Sequence, residues 1–149
     1  MMIDAGSLIY GLLTDAFIDI FIDIFGESVA VETAHAFVTA EVDVDTIDSL
    51  PTIVYAVSGP GQTANGDGYW NVFLDLNVIS DTANAFEITN ALYDAVHAWV
   101  GVVSEFGWVH EVTDVSIFST VQFSAINRPM VEGRDVVQYA GSFALSLRK

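Results

Sequence analysis

Apolar and polar residues alternate along residues 69–78, and this period of two is typical of a strand with one face in a protein core. The core-facing set comprises Trp70, Val72, Leu74, Leu76 and Val78. Further on, apolar residues recur at three- and four-residue steps, at Ala85, Ile88, Leu92, Val96, Trp99 and Val103. This second pattern predicts an amphipathic helix packed on something flat. We expect Ser80 or Asp81 to cap its start and Gly101 to end it.

Residues 7–25 are predicted to form an earlier helix, in which Asp15, Asp19 and Asp23 recur every four residues. The stretch is almost long enough for a membrane helix, which needs about 20 apolar residues. However, three carboxylates along one side are costly in lipid and ordinary on the solvated face of a helix. We therefore expect no membrane segment. A signal peptide is not expected either, because the preceding residues contain Asp4 and no positive charge.

Three further stretches predict strands, at residues 51–57, 114–124 and 137–148. In the second stretch the residues predicted to share one face are Val115, Ile117, Val121 and Phe123, with Phe118 as an exception. The order helix, hairpin, helix, hairpin predicts a single α+β domain over residues 1–149. We expect two layers, namely a four-stranded antiparallel sheet with two helices packed on one face. The other face of the sheet is predicted to be polar and almost uncharged.

The charges are distributed unevenly along the chain. Twenty acidic residues oppose four basic ones, for a net charge of −16, and the bases are Arg128, Arg134, Arg148 and Lys149. Direct binding to a phosphate backbone needs clustered cations, so this composition argues against it. Two interpretations of the acidity stay open. One is adaptation to a salt-rich environment, where repulsion is screened, and the other is a surface that lets DNA pass without sticking.

No constellation of residues predicts chemistry. The chain has no cysteine, and its three histidines lack metal-ligand spacing to one another. His97 lies one turn after Asp94, which predicts a surface pair in preference to a catalytic dyad. We therefore expect no catalytic, cofactor-binding or metal-binding residue, and the chain is predicted not to be an enzyme.

Four segments are informative when taken together, namely Leu50-Pro51-Thr52-Ile53-Val54-Tyr55 before a glycine-rich turn, residues 70–78, the helical residues 91–96 and the closing strand 139–148. In this order they resemble the tail terminator proteins of long-tailed phages and related archaeal viruses. The resemblance covers most of the chain and implies a ring-forming, usually hexameric, virion protein. Such proteins cap the finished tail tube and provide the docking surface for the head connector. The resemblance thus implies a homo-oligomer in the virion neck, assembled in the host cytoplasm, with the tube and head-closure proteins as partners and DNA passing through.

Two connections are longer than simple turns, Gly59–Gly68 and Asn127–Arg134, and connections of this length usually carry function. We expect the cations to pair with carboxylates of the adjacent subunit or of the tube. The predicted contact residues are Gly59, Gln62, Asn65, Asp67, Arg128, Arg134 and Arg148. A second class stays open, a small ferredoxin-like α+β binding module or enzyme that acts as a dimer through its polar sheet face. The mass of the particle separates a ring from a dimer.

Overall fold

The computed structural model of the chain describes residues 3–25, 38–39, 52–62, 68–121, 130–131 and 134–149. In these ranges the chain forms two helices, α1 (Ala5–Phe25) and α2 (Ala85–His97). The strands are β1 (Val38–Thr39), β2 (Thr52–Gln62), β3 (Tyr69–Asp81), β4 (Val103–Ser104), β5 (Gly107–Val121), β6 (Met130–Val131) and β7 (Arg134–Arg148).

The strands form a curled sheet in the order β1-β2-β3-β7-β5-β4, and β6 pairs only with β7. Its four long strands, β2, β3, β7 and β5, are antiparallel neighbours, as the two predicted hairpins require. The α+β class is therefore confirmed. The predicted four-strand sheet is not matched in detail, because β1 joins one edge in parallel and β4 extends the other. Two-residue strands leave too short a pattern for sequence analysis to detect.

A single buried cluster joins both helices to one face of the sheet. The alternating residues of β3 that were predicted to face the core do so, and Leu74, Leu76 and Val78 are fully buried. β7 supplies Phe143 and its alternate neighbours to the same cluster. The helices close it with one apolar stripe each, which includes Leu13 of α1 and Leu92 and Val96 of α2, and Trp99 follows the end of α2 in the same cluster.

Helix α1 begins at a side-chain cap. One carboxylate oxygen of Asp4 accepts the backbone N–H of Ser7 at 3.0 Å, and the other accepts the Ser7 hydroxyl at 2.7 Å. These two hydrogen bonds hold the pKa of Asp4 below its usual value. Asp15, Asp19 and Asp23 are exposed, which confirms the predicted acidic stripe.

By length and composition alone, α1 over Ala5–Ile24 would also suit a membrane span. The core helix of a globular domain passes the same test, however, and α1 has such a core-facing side. Leu8, Ile9, Leu13 and Phe17 are almost fully buried against the rest of the domain. The three carboxylates of α1 lie at exposed positions. A helix with buried apolar residues and exposed charged ones is the arrangement expected of a helix that covers a sheet.

The junction between β3 and α2 differs from the prediction. β3 continues through Asp81, and the N-cap position is Asn84, so neither Ser80 nor Asp81 caps the helix. Instead, the Asp81 carboxylate accepts a hydrogen bond from the Asn84 side-chain amide at 3.0 Å. The helix ends at His97 with Ala98 at the C-cap position, four residues before the predicted end at Gly101. Trp99 and Val103, which were predicted to lie on it, therefore follow it, and Val103 belongs to β4.

Strand β5 departs from the predicted alternation because its register against β7 shifts at three places. Each shift inserts extra residues and re-aims the side chains that follow. Phe118, the predicted exception, packs against the core, whereas Val115 and Ile117 are exposed. The prediction for these three residues was therefore wrong. The side chain of Val121 and all of Phe123 lie outside the described part of the chain.

Candidate functional site

The two hairpin connections lie at opposite ends of the sheet. Tyr69 pairs with Arg148, and Asp81 pairs with Val136. The β2–β3 connection is therefore at the end where β7 finishes, and the β5–β7 connection is at the end where β7 begins. The twelve residue steps of β3 between them span roughly 40 Å, at about 3.3 Å per step. One copy of the chain thus presents a different hairpin at each end.

The predicted Gly59–Gly68 loop is shorter than expected. Gly59 and Gln62 belong to β2, and Gln62 pairs with Trp70 of β3. A register shift after Ser58 lets the strand continue past its glycines. Asn65 and Asp67 lie outside the described residues.

The second predicted connection is also bounded by strands. Arg134 is the first residue of β7 and pairs with Val131 of β6 in a short ladder. Its side chain and the whole of Arg128 lie outside the described part of the chain. Of the predicted contact residues, Arg134 and Arg148 stand at opposite ends of β7, and Gln62 lies at the end of the sheet that carries Arg148.

Arg148 belongs to a cluster of aromatic side chains at its end of the sheet. Its guanidinium carbon lies 5.2 Å from the centroid of the Tyr69 ring, and one guanidinium nitrogen donates to the Tyr69 hydroxyl at 3.4 Å. The Tyr69 and His110 rings are 4.6 Å apart, and the Trp108 and His110 rings are 5.6 Å apart. A cation held over an aromatic ring keeps its other donors available to a partner carboxylate. Sequence analysis missed these three aromatic residues because only strand pairing brings them beside Arg148.

A second polar cluster joins α2 to β5. The Tyr93 hydroxyl donates to one oxygen of Asp114 at 2.5 Å, and His97 Nε2 lies 2.6 Å from the other. The predicted pair of His97 with Asp94 is therefore wrong, because the register of β5 turns Asp114 towards the helix. No local spacing signals this contact, which joins residues 17 positions apart.

The electrostatics of this cluster favour a charged Asp114. The hydrogen bond from Tyr93 lowers the pKa of Asp114; partial burial opposes this, and His97 adds to it. The same hydrogen bond raises the pKa of Tyr93. The three side chains satisfy one another and fasten the helix to the strand. Within the described residues, no group of three histidine or acidic side chains is placed to hold a metal ion.

An apolar pocket of about 220 Å³ opens next to this cluster, between α2 and the strands β5 and β7. Its lining includes Phe86 and Ile117, which are 69% and 73% exposed, together with the ring of Phe118. No charged residue lines it. Large apolar side chains left this exposed are typical of surfaces that bind a partner.

The opposite face of the sheet is polar, as predicted. Ser142 of β7 donates to the Asp75 carboxylate of β3 at 2.6 Å, and Gln138 donates to Asn77 at 2.8 Å. The face also carries apolar side chains, since Phe73 is 42% exposed on it and Val54, Ile79 and Val136 form a small buried cluster at one end. Hydrogen bonds between neighbouring strands therefore order the polar side chains of this surface.

No protein-family model matches the chain, and no curated protein matches it. A comparison with solved structures found similarity to a chain of the virion of the native gene transfer agent (GTA) particle. The two chains are 14% identical with a TM-score of 0.46, and the alignment covers 92% of this chain and 98% of that one. At this TM-score and identity, the likeness carries no argument about function. The function has to be inferred from the surfaces of the chain itself.

Proposed function

We propose that the chain is a structural protein of a tailed virion and that it serves there as the tail terminator. In this role six copies close a ring that caps the tail tube, stops its elongation and joins it to the head connector. The observation that supports this role best is the position of the two hairpin connections at opposite ends of the sheet. A protein that joins two different partners along one axis needs two such ends.

A tail tube grows by stacking rings, so a terminator must bind the last ring and refuse the next one. It can do so when its two ends differ in shape and chemistry. One end of this chain carries Arg148 over Tyr69 beside the β2–β3 connection, and the other carries the β6–β7 hairpin that begins at Met130. Ends that differ in this way allow one to copy the docking surface of the tube while the other receives the head connector.

The polar face of the sheet suits the wall of a channel for DNA. Its described side chains include the hydroxyl of Ser142 and the amides of Asn77 and Gln138, and Asp75 and Glu111 add negative charge. Cations are required to hold a phosphate backbone, and a wall of carboxylates and neutral groups repels it. In the proposed ring this face points towards the DNA path, so that DNA slides without specific binding.

The proposed role is structural and not catalytic. The side chains with perturbed pKa values at the α2–β5 contact are Tyr93 and Asp114, and both are engaged in the hydrogen bonds that join these elements. The apolar pocket beside them has no charged lining residue that would act as a general acid or base. A binding surface accounts for these features without a reaction.

The role of the β2–β3 connection can be tested by deleting Asn65–Asp67 in the virus that encodes the chain. Four residues would remain between the paired Gln62 and Trp70, a length common in β-hairpins, so the domain should still fold. If this end caps the tube, the mutant virus should produce overlong tails. If this end meets the head connector, tails of normal length should separate from filled heads.

Reversal of the cations at the other end, with Arg128→Glu and Arg134→Glu together, should give the complementary defect. Reversal of two exposed residues of α1, Asp15→Lys and Asp19→Lys, is the control for a change of charge and should leave assembly intact. Circular dichroism of each purified variant verifies that the domain is folded. Normal tails joined to filled heads in both end variants would contradict the tail-terminator role.

A further inference from the structure

Both edges of the sheet are partly open in the part of the chain that the structure describes. On the β5 side, β4 and Val100 pair with residues 107–109, and no described strand continues beyond them. On the β2 side, β1 pairs with Ile53 and Val54, and residues 55–62 have no described partner on that side. An open edge presents unpaired backbone donors and acceptors to another strand.

Near Tyr55 and Phe118, neither open edge carries the charges that usually protect such a strand. Residues 115–121 of β5 and residues 55–62 of β2 contain no acidic or basic residue, although the chain has a net charge of −16. The charges of the open part of β5, Glu111 and Asp114, precede this stretch. Natural proteins commonly place charged side chains on exposed edges to prevent pairing with other chains. In a chain this acidic, repulsion between two copies is smallest where neither surface carries acidic residues. The open edges meet that condition around Tyr55 and Phe118.

The strand pairing shows that Tyr55 on the β2 edge and Phe118 on the β5 edge occupy corresponding positions along the sheet. Tyr55 of β2 pairs with Leu76 of β3, and Leu76 pairs with Gly141 of β7. The ring of Phe118 on β5 lies directly over Gly141, where an added Cβ would come within 2.9 Å of it. Tyr55 and Phe118 therefore stand at the same height on opposite edges, and both lie on the helix side of the sheet.

Each edge carries a complementary shape at this height. The β5 edge has the uncharged pocket next to Phe118, of about 220 Å³. The β2 edge has a projecting aromatic pair, in which the rings of Tyr10 and Tyr55 are 6.4 Å apart and Tyr10 is 41% exposed. A second copy placed beside β5 in the same orientation keeps its helices on the same side, so its aromatic pair faces this pocket. Its β2 would also run antiparallel to β5, since the long strands of each copy alternate in direction.

We propose that the β5 edge binds the β2 edge of a second copy of this chain, with Tyr10 of that copy in the pocket between α2 and β5. The contact is heterologous, because two different surfaces meet, and a heterologous contact repeated by rotation closes a ring. This proposal rests on the proposed ring and names the surfaces that form it. It also accounts for the exposure of Ile117 and Phe86, which the contact would cover.

Cysteine cross-linking tests the contact directly, because the chain contains no cysteine of its own. Tyr10→Cys and Ile117→Cys in one chain place a thiol at each edge. Within one copy, Tyr10 of α1 packs against Tyr55 of β2. Because β2 and β5 are three strand spacings apart, or roughly 14 Å, the two thiols of one copy should be beyond the reach of a disulfide. Mild oxidation in molar salt should therefore produce a ladder of covalent oligomers on a non-reducing gel. The control pair, Phe73→Cys with Ile117→Cys, places one thiol on the other face of the sheet and should remain monomeric.

Sedimentation in molar salt measures the same contact without a cross-link. Tyr10→Ala and Ile117→Lys should each weaken association at least about tenfold, as expected for a buried anchor residue of an interface. The controls are Phe73→Ala, which removes an equally exposed aromatic side chain, and Thr113→Lys, which adds the same charge to the polar face of β5. Both controls should assemble like the wild type. Thermal unfolding verifies that all four variants are folded.

The outcomes separate this contact from the ring itself. If Tyr10→Ala and Ile117→Lys form the wild-type ring and no ladder appears, the contact is overturned and the ring proposal stands. If the ladder forms but the wild type sediments as dimers or open chains, the contact is supported and the tail-terminator proposal fails. A wild type that is monomeric in dilute and in molar salt would overturn both.

Discussion

Replacement of Gly107 by alanine should destabilise the fold through two effects, backbone strain and a steric clash. The same replacement at Gly101 introduces only the backbone strain, so a comparison of the two variants separates the effects. Gly107 has a φ of +129°, which side-chain-bearing residues rarely adopt, and an added Cβ would lie 2.5 Å from the backbone carbonyl oxygen of Arg148. Gly101 has a φ of +84° with no atom within 4 Å of an added Cβ. Gly101→Ala should therefore lose about 1–2 kcal/mol of unfolding free energy through backbone strain alone. Gly107→Ala should lose about 1–3 kcal/mol more, because the carbonyl it meets belongs to the paired end of β7.

Thermal unfolding followed by circular dichroism measures this difference. For a chain of about this length, 1 kcal/mol shifts the melting temperature by roughly 2–4 °C. We expect Gly101→Ala to lower it by about 2–8 °C and Gly107→Ala by about 4–20 °C, with Gly107→Ala always the lower of the two. Equal losses in the two variants would show that β4 and β5 do not meet the end of β7 as closely as described, and would undermine the placement of the Arg148 cluster.

Three further predictions concern charge, pH and helix propensity. With twenty acids against four bases, the wild type should melt at a higher temperature in molar salt than in dilute buffer, and an unchanged melting temperature would exclude the salt-adapted interpretation. The pKa of Asp114 is lowered from 3.8, so its hydrogen bonds stabilise the fold above that pH and the contribution is lost as the pH falls through the lowered pKa. The melting temperatures of the wild type and Asp114→Asn should therefore converge below pH 3.8, and a constant difference down to pH 2 would refute this. Gly11→Ala, on an open part of α1, should raise the unfolding free energy by about 0.5–1 kcal/mol. A lower unfolding free energy than that of the wild type, measured by chemical denaturation, would contradict the helical environment of Gly11.

The local patterns of the sequence were sufficient to predict the helices and strands that bury one face along their whole length. The alternation along β3 and the stripe of α2 both correspond to buried residues, such as Leu74 and Leu92, because a single face of each element meets one core. The acidic stripe of α1, including Asp19, was recognised for the same reason. The polar side chains on the other face of the sheet were predicted from the strand positions that alternate with the core-facing ones.

The failures share a physical cause, which is that they depend on pairing between distant segments. The bulges of β5 turn Phe118 inwards and Ile117 outwards, and nothing in a period of two indicates where a register shift occurs. The same shifts bring Asp114 to His97, a contact that helical spacing alone assigned to Asp94. The continuation of β2 through Gly59 likewise depends on the partner strand β3.

For the candidate site, the sequence pointed to the hairpin connections and the cations, and the structure places Arg148 beside the β2–β3 connection. The role of these residues as contacts stays a prediction. The sequence did not indicate that the two connections stand at opposite ends of the sheet, since that arrangement follows from the pairing of β3 with β7. The pocket beside Phe118 was also missed, because it is lined by α2, β5 and β7 together.

Electron microscopy of the purified protein in molar salt, with its mass measured in the same buffer by light scattering, tests the proposed function most directly. The proposal predicts closed rings with six-fold symmetry, an open centre and a mass six times the 16.1 kDa of one chain. A compact two-fold dimer or a monomer at all salt concentrations would contradict it and would favour the small binding module instead.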